Sequence, residues 1–263
     1  MRGLAIGLPA KYENVTLENL ARLSTRFGFR EPVEIWEAGN EVSPDARHRL
    51  EGLGNVTIRN VAEISADVED WKGFQIKGFI CRHSKFDELI LADADVIFFQ
   101  SPETIWKDRG YRATGTYFFR DLAQWKFHDL RSSDDDKFQS EEFFEARRKW
   151  ILDLMPEKSR FFPPEWDYIY GKGLPRRPVA EAYMEAGVVY LDRARCGAAI
   201  DNIFQLNRDH EVTYRHVWGD KETYWIACCK AGLPFTMNRR YPRMKRQLTQ
   251  YYGARPFYTQ NKG

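Results

Sequence analysis

Cysteine is scarce in this chain: Cys81, Cys196, Cys228 and Cys229 are the only four in 263 residues, and none has a C-x-x-C spacing. That excludes a disulfide-stapled scaffold and a zinc ribbon, and the adjacent pair suits neither. A reducing, cytoplasmic setting is the expectation. Long apolar runs are also missing. No stretch approaches the roughly 20 apolar residues of a membrane-spanning helix, and Pro9 interrupts the N-terminal "MRGLAIGLPA" too soon for a secretory signal. The sequence therefore predicts no transmembrane segment. An excess of one charge is lacking as well, with 40 Lys and Arg against 38 Asp and Glu. This balance argues against a general nucleic-acid binder. Neither an internal repeat nor a strong linker is present, which predicts one domain over residues 1–263.

What is present suits a globular α/β protein: 43% apolar and 30% charged residues. "GLAIGLPA" reads as a strand running into a Gly/Pro loop. "TLENLARLSTRFGF" reads as an amphipathic helix with Leu17, Leu20 and Leu23 on one face. "PVEIWEAG" and "NVTIRNV" read as two further strands, so the opening is β-α-β and the product a mainly parallel sheet flanked by helices. From Trp71, "WKGFQIKGFICRHSKF" has helical spacing in Phe74, Ile76, Phe79 and Ile80. A strand pair is expected around "YRATGTYFFRDL". A helix follows in "SEEFFEARRKWILDLM" and a surface loop at 156–178. Then come a strand in "YMEAGVVYLDRARC", a helix through "CGAAIDNIFQLN" and another in the second half of "YRHVWGDKETYWIACCKAG".

Chemistry concentrates in "ELILADADVIFFQSP". There an apolar run is broken by Asp93 and Asp95, although burying charge is costly unless something pairs with it. In an extended segment residues i and i+2 face one side, so both carboxylates can address one point. At the carboxyl end of a parallel strand that point lies in the crevice where α/β sheets bind ligands. Two hard oxygen donors beside an open face suit Mn²⁺ or Mg²⁺, with a diphosphate completing the coordination. The bland reading is a strand that ends at Ala92 with both aspartates in a solvated turn. The apolar residues on both flanks make a simple turn less natural.

These residues, "FQIKGFICRHSKFDELILADADVIFFQSPETIW", resemble the metal-binding segment of GT-A-fold nucleotide-sugar glycosyltransferases, in particular the fungal α-1,3-mannosyltransferase family. "MEAGVVYLDRARC" is similar to that family's E-S-G strand and "HVWGDKETYWIA" to its H-x-G-D-K-E-T-[FY]-W segment. The three matches occur in order between residues 71 and 230. Two departures stand out: Ala186 replaces the usual Ser, and the expectation is a chain without the membrane anchor and stem of Golgi members.

The resemblance implies a single GT-A (Rossmann-like) domain, with a nucleotide-sugar-binding half over 1–115 and an acceptor-binding half over 116–263 that carries the C-terminal tail. It implies that Asp95 binds the divalent ion directly, that Asp93 contacts the donor ribose or reaches the metal through water, and that His216 completes the metal site. Lys77 and the loop 7–11 are expected near the nucleotide, and Lys221 is a point charge for phosphate. Asp220 is the candidate for positioning the acceptor hydroxyl or stabilising positive character on the sugar. Glu185 would accept hydrogen bonds from donor hydroxyls, and Gly187 would let the backbone approach the sugar closely, unless it marks a β-bulge. Glu222 reads as an N-terminal helix carboxylate. Asp134 to Asp136 read as a solvated loop, Trp125 and Trp166 as rings able to stack on an acceptor, and the basic tail from Arg239 as a source of diphosphate contacts.

The implied reaction moves a hexose, mannose favoured, from GDP-mannose or a UDP-hexose to a glycan acceptor, with retention. Two other readings remain at this point. A haloacid-dehalogenase-like phosphatase also ends an apolar strand in D-x-D and would use Asp93 as nucleophile and Asp95 as acid/base. However, some ninety residues of β-α-β precede the motif, and "GDKETYW" lacks a second aspartate at the required spacing. A sugar-nucleotide-binding module without catalysis is the other; intact Asp93, Asp95 and Asp220 speak against it.

Overall fold

Strand β1 (Arg2–Gly7) is central to the architecture. It pairs in parallel with β2 (Val33–Glu37) on one side and β4 (Glu88–Asp93) on the other, while β3 (Val56–Asn60) adds outside β2. The computed structural model describes residues 1–121, 141–155, 183–244 and 247–260. Beyond β4 lie β7 (Met184–Asp192) and β6 (Thr116–Arg120), giving the order β3-β2-β1-β4-β7-β6 with β7 antiparallel to both neighbours. The mainly parallel sheet expected from the β-α-β opening is therefore present, with one reversed strand.

Alternation along the strands sends side chains into two cores. Leu4 and Ile6 of β1 join Leu17, Leu20 and Leu23 of helix α1 (Glu13–Phe27), whose apolar face is the one expected. Ala5 of β1 and Leu89 and Leu91 of β4 face the other way. They pack with α3 (Ile76–His83), α6 (Arg193–Arg208) and α8 (Thr223–Lys230). Helices α2 (Pro44–Glu51), α5 (Glu141–Leu154) and the single turn α7 (His210–Thr213) complete the periphery. All four cysteines are buried free thiols. No helix among the described residues is long and apolar enough to cross a membrane.

Three local readings are corrected. The segment 109–114 is helix α4 (Arg109–Thr114) rather than the first of two strands, because Asp108 caps it by accepting from the backbone N–H of Gly110 and Tyr111. Helix α3 begins only at Ile76, and Phe74 stays outside the core at 58% exposure. The D-x-D stretch is not one strand: β4 ends at Asp93, Ala94 and Asp95 form a turn, and β5 (Val96–Phe98) leaves for a second sheet. That sheet is antiparallel, in the order β5-β10-β9-β8, and is otherwise built from the tail: β8 (Arg243–Met244), β9 (Leu248–Tyr252) and β10 (Arg255–Gln260). Strands from both 1–115 and 116–263 thus share each sheet. Trp125, Trp166, Asp134 to Asp136 and the loop 156–178 lie outside the described residues.

Candidate active site

The carboxyl end of β4 sets Asp93 opposite Gly7, the last residue of β1. A Cβ at Gly7 would lie 2.9 Å from a methyl of Ile76, so glycine there lets the start of α3 settle over the strand ends. The next residue, Lys77, is thereby delivered to the site. Its ammonium meets Oδ1 of Asp93 at 2.7 Å, Oδ2 of Asp220 at 2.7 Å and the carbonyl of Ala186 at 3.1 Å. Three N–H donors find three acceptors, which fully satisfies the group. The family serine replaced at Ala186 bears on none of this, because the contact is made by the backbone.

Burial alone would pull the Lys77 ammonium down, but Asp220 and Asp93 outweigh it and hold the pKa well above the ordinary lysine value. Asp93 shifts upward as well, but for a carboxyl this favours the neutral form. Burial, with Asp220 and Asp95 nearby, pushes its carboxyl up to about 7 despite the contact with Lys77. Asp93 is also held from the opposite side, where Nε2 of Gln260 donates to its Oδ2 at 3.2 Å. Gln260 ends β10, which runs antiparallel to β5 with Gln260 opposite Val96. Gly187 makes room for it: a Cβ there would lie 2.6 Å from Nε2 of Gln260 and 3.1 Å from the ring of Tyr258. The close neighbour of this glycine is therefore the chain's own last strand. The pairing of β6 with β7 also slips register across this region, with Tyr117 opposite Tyr190 but Phe119 opposite Glu185.

A second lysine sits one residue beyond Asp220. Lys221 pairs with Asp121 at 3.0 Å and with Glu185 at 2.8 Å, and these two carboxylates overcome burial to raise its pKa. Asp220 is buried beneath Lys77, and its Oδ2 also accepts from the hydroxyl of Tyr224 at 2.7 Å. Asp220 and Glu185 thus each engage a lysine. Glu222, read as a dipole-favoured helix start, is fully buried. It accepts from the backbone N–H of Tyr183 at 2.5 Å and of Met184 at 3.0 Å and from the indole of Trp225, locking the start of β7 to α8.

His216 stacks on Trp150 of α5, with ring centroids 4.8 Å apart and planes 12° off parallel. Burial and the nearby Arg147 and Arg215 lower its pKa. No group of three His, Cys, Asp or Glu side chains suited to a metal ion occurs among the described residues. His216 therefore does not form a preformed three-ligand set with Asp93 and Asp95. Asp95 itself lies half-buried on the turn. Among the described residues the tail reaches the site through Gln260, while Arg239, Arg240, Arg243 and Arg255 are exposed; Lys245, Arg246 and Lys262 lie outside the described residues. Sequence reasoning missed Gln260, Tyr224 and Asp121. The alternation of "RPFYTQ" would have placed Tyr258 and Gln260 on one face, without saying what that face meets.

Comparison with known proteins bears on the family and the fold. A family model described as "Mannosyltransferase putative" matches residues 2–259. The "Putative alpha-1,3-mannosyltransferase MNN15" of Candida albicans is 30% identical over 162 residues, 61% of this chain and 20% of that protein. The "Putative alpha-1,3-mannosyltransferase MNN1" of the same yeast is 27% identical over 74% of this chain and 20% of its own length. The "Alpha-1,3-mannosyltransferase MNT3" of Saccharomyces cerevisiae is 24% identical over 79% of this chain and 34% of its own length. The chain thus spans about a fifth of the length of these two Candida relatives. Among solved structures, mouse xyloside xylosyltransferase 1 superposes with a TM-score of 0.52 at 10% identity, covering 90% of this chain and 85% of that one. The mannosyltransferase Ktr4p of S. cerevisiae gives 0.51 at 10% identity, covering 86% and 65%. At such identities the likeness establishes the fold, which is GT-A.

Proposed function

This chain belongs to the mannosyltransferase family whose model spans residues 2–259, and on that premise we propose that it transfers mannose from GDP-mannose to a glycan hydroxyl, with retention and with Mn²⁺ or Mg²⁺ as cofactor. The observation that carries the reading is the Lys77–Asp93 pair at the carboxyl end of β4, directly before the turn that bears Asp95. This is where an α/β sheet receives a phosphorylated ligand. The alpha-1,3 linkage in the relatives' names, set beside the α-linked sugar of the proposed donor, supports retention.

The residues fit a small divalent cation. Asp93 and Asp95 offer hard oxygen donors; burial first, and then the charges of Asp220 and Asp95, push the Asp93 carboxyl up, and added positive charge would relieve the repulsive part. Asp95 would hold the ion directly and Asp93 through water. When bound, the ion supplies charge to the diphosphate as the glycosyl bond breaks. The chain's own groups prepare that position. Lys77 and Gln260 fix the two oxygens of Asp93 from opposite sides, and Asp220, held by Tyr224, fixes Lys77. Asp220 and Glu185 then act as positioning groups, each through its lysine. The phosphatase reading loses its support with the family match.

Calorimetric titration with GDP-mannose, UDP-glucose and UDP-galactose, with and without Mn²⁺, tests the reading, followed by assay of transfer to a mannose-terminated oligosaccharide. GDP-mannose should bind only with the metal, and Asp95→Ala should abolish that binding without changing thermal unfolding. Absence of binding by any donor would overturn the proposal, as would undiminished Mn²⁺-dependent turnover by Asp95→Ala. Donor binding without transfer would instead favour the non-catalytic module.

A further inference from the structure

Asn207, on helix α6, is fully buried, and both polar atoms of its side chain are engaged. Its Nδ2 donates to the carbonyl of Ile203 at 2.8 Å and to Oγ1 of Thr223 at 3.1 Å, and its Oδ1 accepts from the hydroxyl of Tyr214 at 2.6 Å. The Thr223 hydroxyl donates in turn to the backbone carbonyl of Asp220 at 2.7 Å, and the N–H of Thr223 reaches the same carbonyl at 3.0 Å. With its one proton committed there, the hydroxyl can only accept from Asn207, which must therefore present its amide nitrogen. The relay runs one way, from Tyr214 through Asn207 and Thr223 to Asp220. The other flank of Asn207 meets α3. A Cβ at Gly78 would lie 2.5 Å from the Cβ of Asn207 and 3.0 Å from its Nδ2, so glycine there lets the helix backbone rest on this side chain. Gly78 directly follows Lys77. Asn207 thus lies between the two segments whose charges meet in the Lys77–Asp220 pair at 2.7 Å.

We propose that Asn207 is a positioning residue for the transfer site, setting the reach of Lys77 to Asp220 and, through Lys77, the seat of Asp93; this rests on the transferase reading above. It acts at one remove. Thr223 pins the backbone of Asp220, and the contact with Gly78 sets the depth at which α3 delivers Lys77. The Lys77 ammonium spends its donors on Asp93, Asp220 and the carbonyl of Ala186, so a displacement of Asp220 is passed on to Asp93. A buried relay in which each donor has its acceptor holds one arrangement, and a gap in it leaves polar groups unpaired. Only an amide serves the whole set. Leucine, similar in size, could neither donate to Thr223 nor accept from Tyr214, and aspartate would turn an acceptor toward a hydroxyl whose proton is already committed.

The test compares Asn207→Ala and Thr223→Val with two milder variants, Thr223→Ser, which keeps the hydroxyl, and Tyr214→Phe, which removes only the first donor of the relay. Ile200→Val, on the same helix, is the control, because it trims the core without touching the relay. The first readout is the side-chain nitrogen–proton NMR signal of the Lys77 ammonium, identified by its absence from Lys77→Arg and protected from exchange by burial between two carboxylates. Thr223→Val, Asn207→Ala and Tyr214→Phe should shift or broaden it, while Thr223→Ser and Ile200→Val leave it in place. The second readout is calorimetry with GDP-mannose and Mn²⁺. Thr223→Val should weaken donor binding roughly three- to tenfold, the fold-change of one lost hydrogen bond, and Thr223→Ser should restore it. A Lys77 signal unmoved in Thr223→Val and Tyr214→Phe overturns the proposal, as does a wild type without a protected signal. Equal disturbance in Ile200→Val also overturns it, since Asn207 would then be one packing residue among many. A wild type that binds no donor would count against the transferase reading alone, because the ammonium signal needs no donor and still decides the positioning.

Discussion

Gln260 donates its side-chain amide to Asp93 across 3.2 Å, although 167 positions separate them in the chain. This contact joins the last strand of the small antiparallel sheet to the last residue of a central strand in the large one. Asp93 is consequently held from two sides by groups that sequence order keeps far apart, with Lys77 on the other oxygen.

Gly187 leaves the space that this contact needs. Gly187→Ala would set a methyl 2.6 Å from the amide nitrogen of Gln260 and 3.1 Å from Tyr258. Overpacking of this kind costs about 1–3 kcal/mol. Chemical denaturation should show that loss. Combining Gly187→Ala with Gln260→Ala should restore part of it, since the amide is the first atom to yield. Fully additive losses would place the strain elsewhere.

Lys77 neutralises two carboxylates in a nearly buried position. Lys77→Met leaves Asp93 and Asp220 facing each other unpaired, and breaking a buried pair from one side costs about 3–5 kcal/mol. The shift in urea midpoint measures this. Adding Asp220→Asn to Lys77→Met should recover stability, because the remaining repulsion falls. A Lys77→Met protein as stable as the wild type would show that the pair is solvated in solution.

Oε2 of Glu222 accepts from the indole of Trp225 and faces Arg147 at 3.7 Å. Glu222→Gln can turn a donor toward those donors, and a buried polar group left without its partner costs about 1–3 kcal/mol. The near-ultraviolet circular dichroism of Trp225 should change together with the denaturation midpoint. Neither should respond to Lys149→Gln on the exposed face of α5, where only an i,i+4 pair with Asp153 is lost.

His83 lies against Phe79 with ring centroids 4.3 Å apart and planes tilted by 35°. Burial, then Arg82, Arg193 and Arg59, lower its pKa from the ordinary 6.5. As pH falls below 6.5 the unfolded chain takes up this proton before the folded one. The contribution is therefore intact above 6.5 and is lost as pH falls through the lower folded value. Urea midpoints of wild type and His83→Phe, compared from pH 7.5 to pH 5, should show the wild type losing ground in acid. Parallel curves would remove His83 from the account.

Sequence pattern revealed the parts whose signal is local. The β-α-β opening, the leucine face of α1, the strand of β7 and the helices around Asp192 and Thr223 all followed from periodicity, and the D-x-D followed from charge interrupting an apolar run. Pattern failed where tertiary pairing decides. Nothing in "ADADVIFF" announces that β4 and β5 belong to different sheets, because both halves are equally apolar. Phe74 fits a helical spacing yet lies outside the helix, since α3 can begin only where Ile76 packs against Gly7. Asp220 and Glu185 were legible as acids, but their lysine partners come from segments brought together by the fold. Gln260 carried no sign at all, because its role exists only once β10 lies along β5.

Protein chains emerge from the ribosome N-terminus first, and earlier segments begin to fold while later ones are still being made. The central strands β1 to β4 can associate early, with Lys77 and Asp93 already in place. The antiparallel β10, and with it the second hold on Asp93, arrives only after residue 260 has cleared the exit tunnel. A nascent chain therefore holds Asp93 by Lys77 alone until β10 has emerged and lain along β5, and any truncation before residue 260 would leave Asp93 tethered on one side alone.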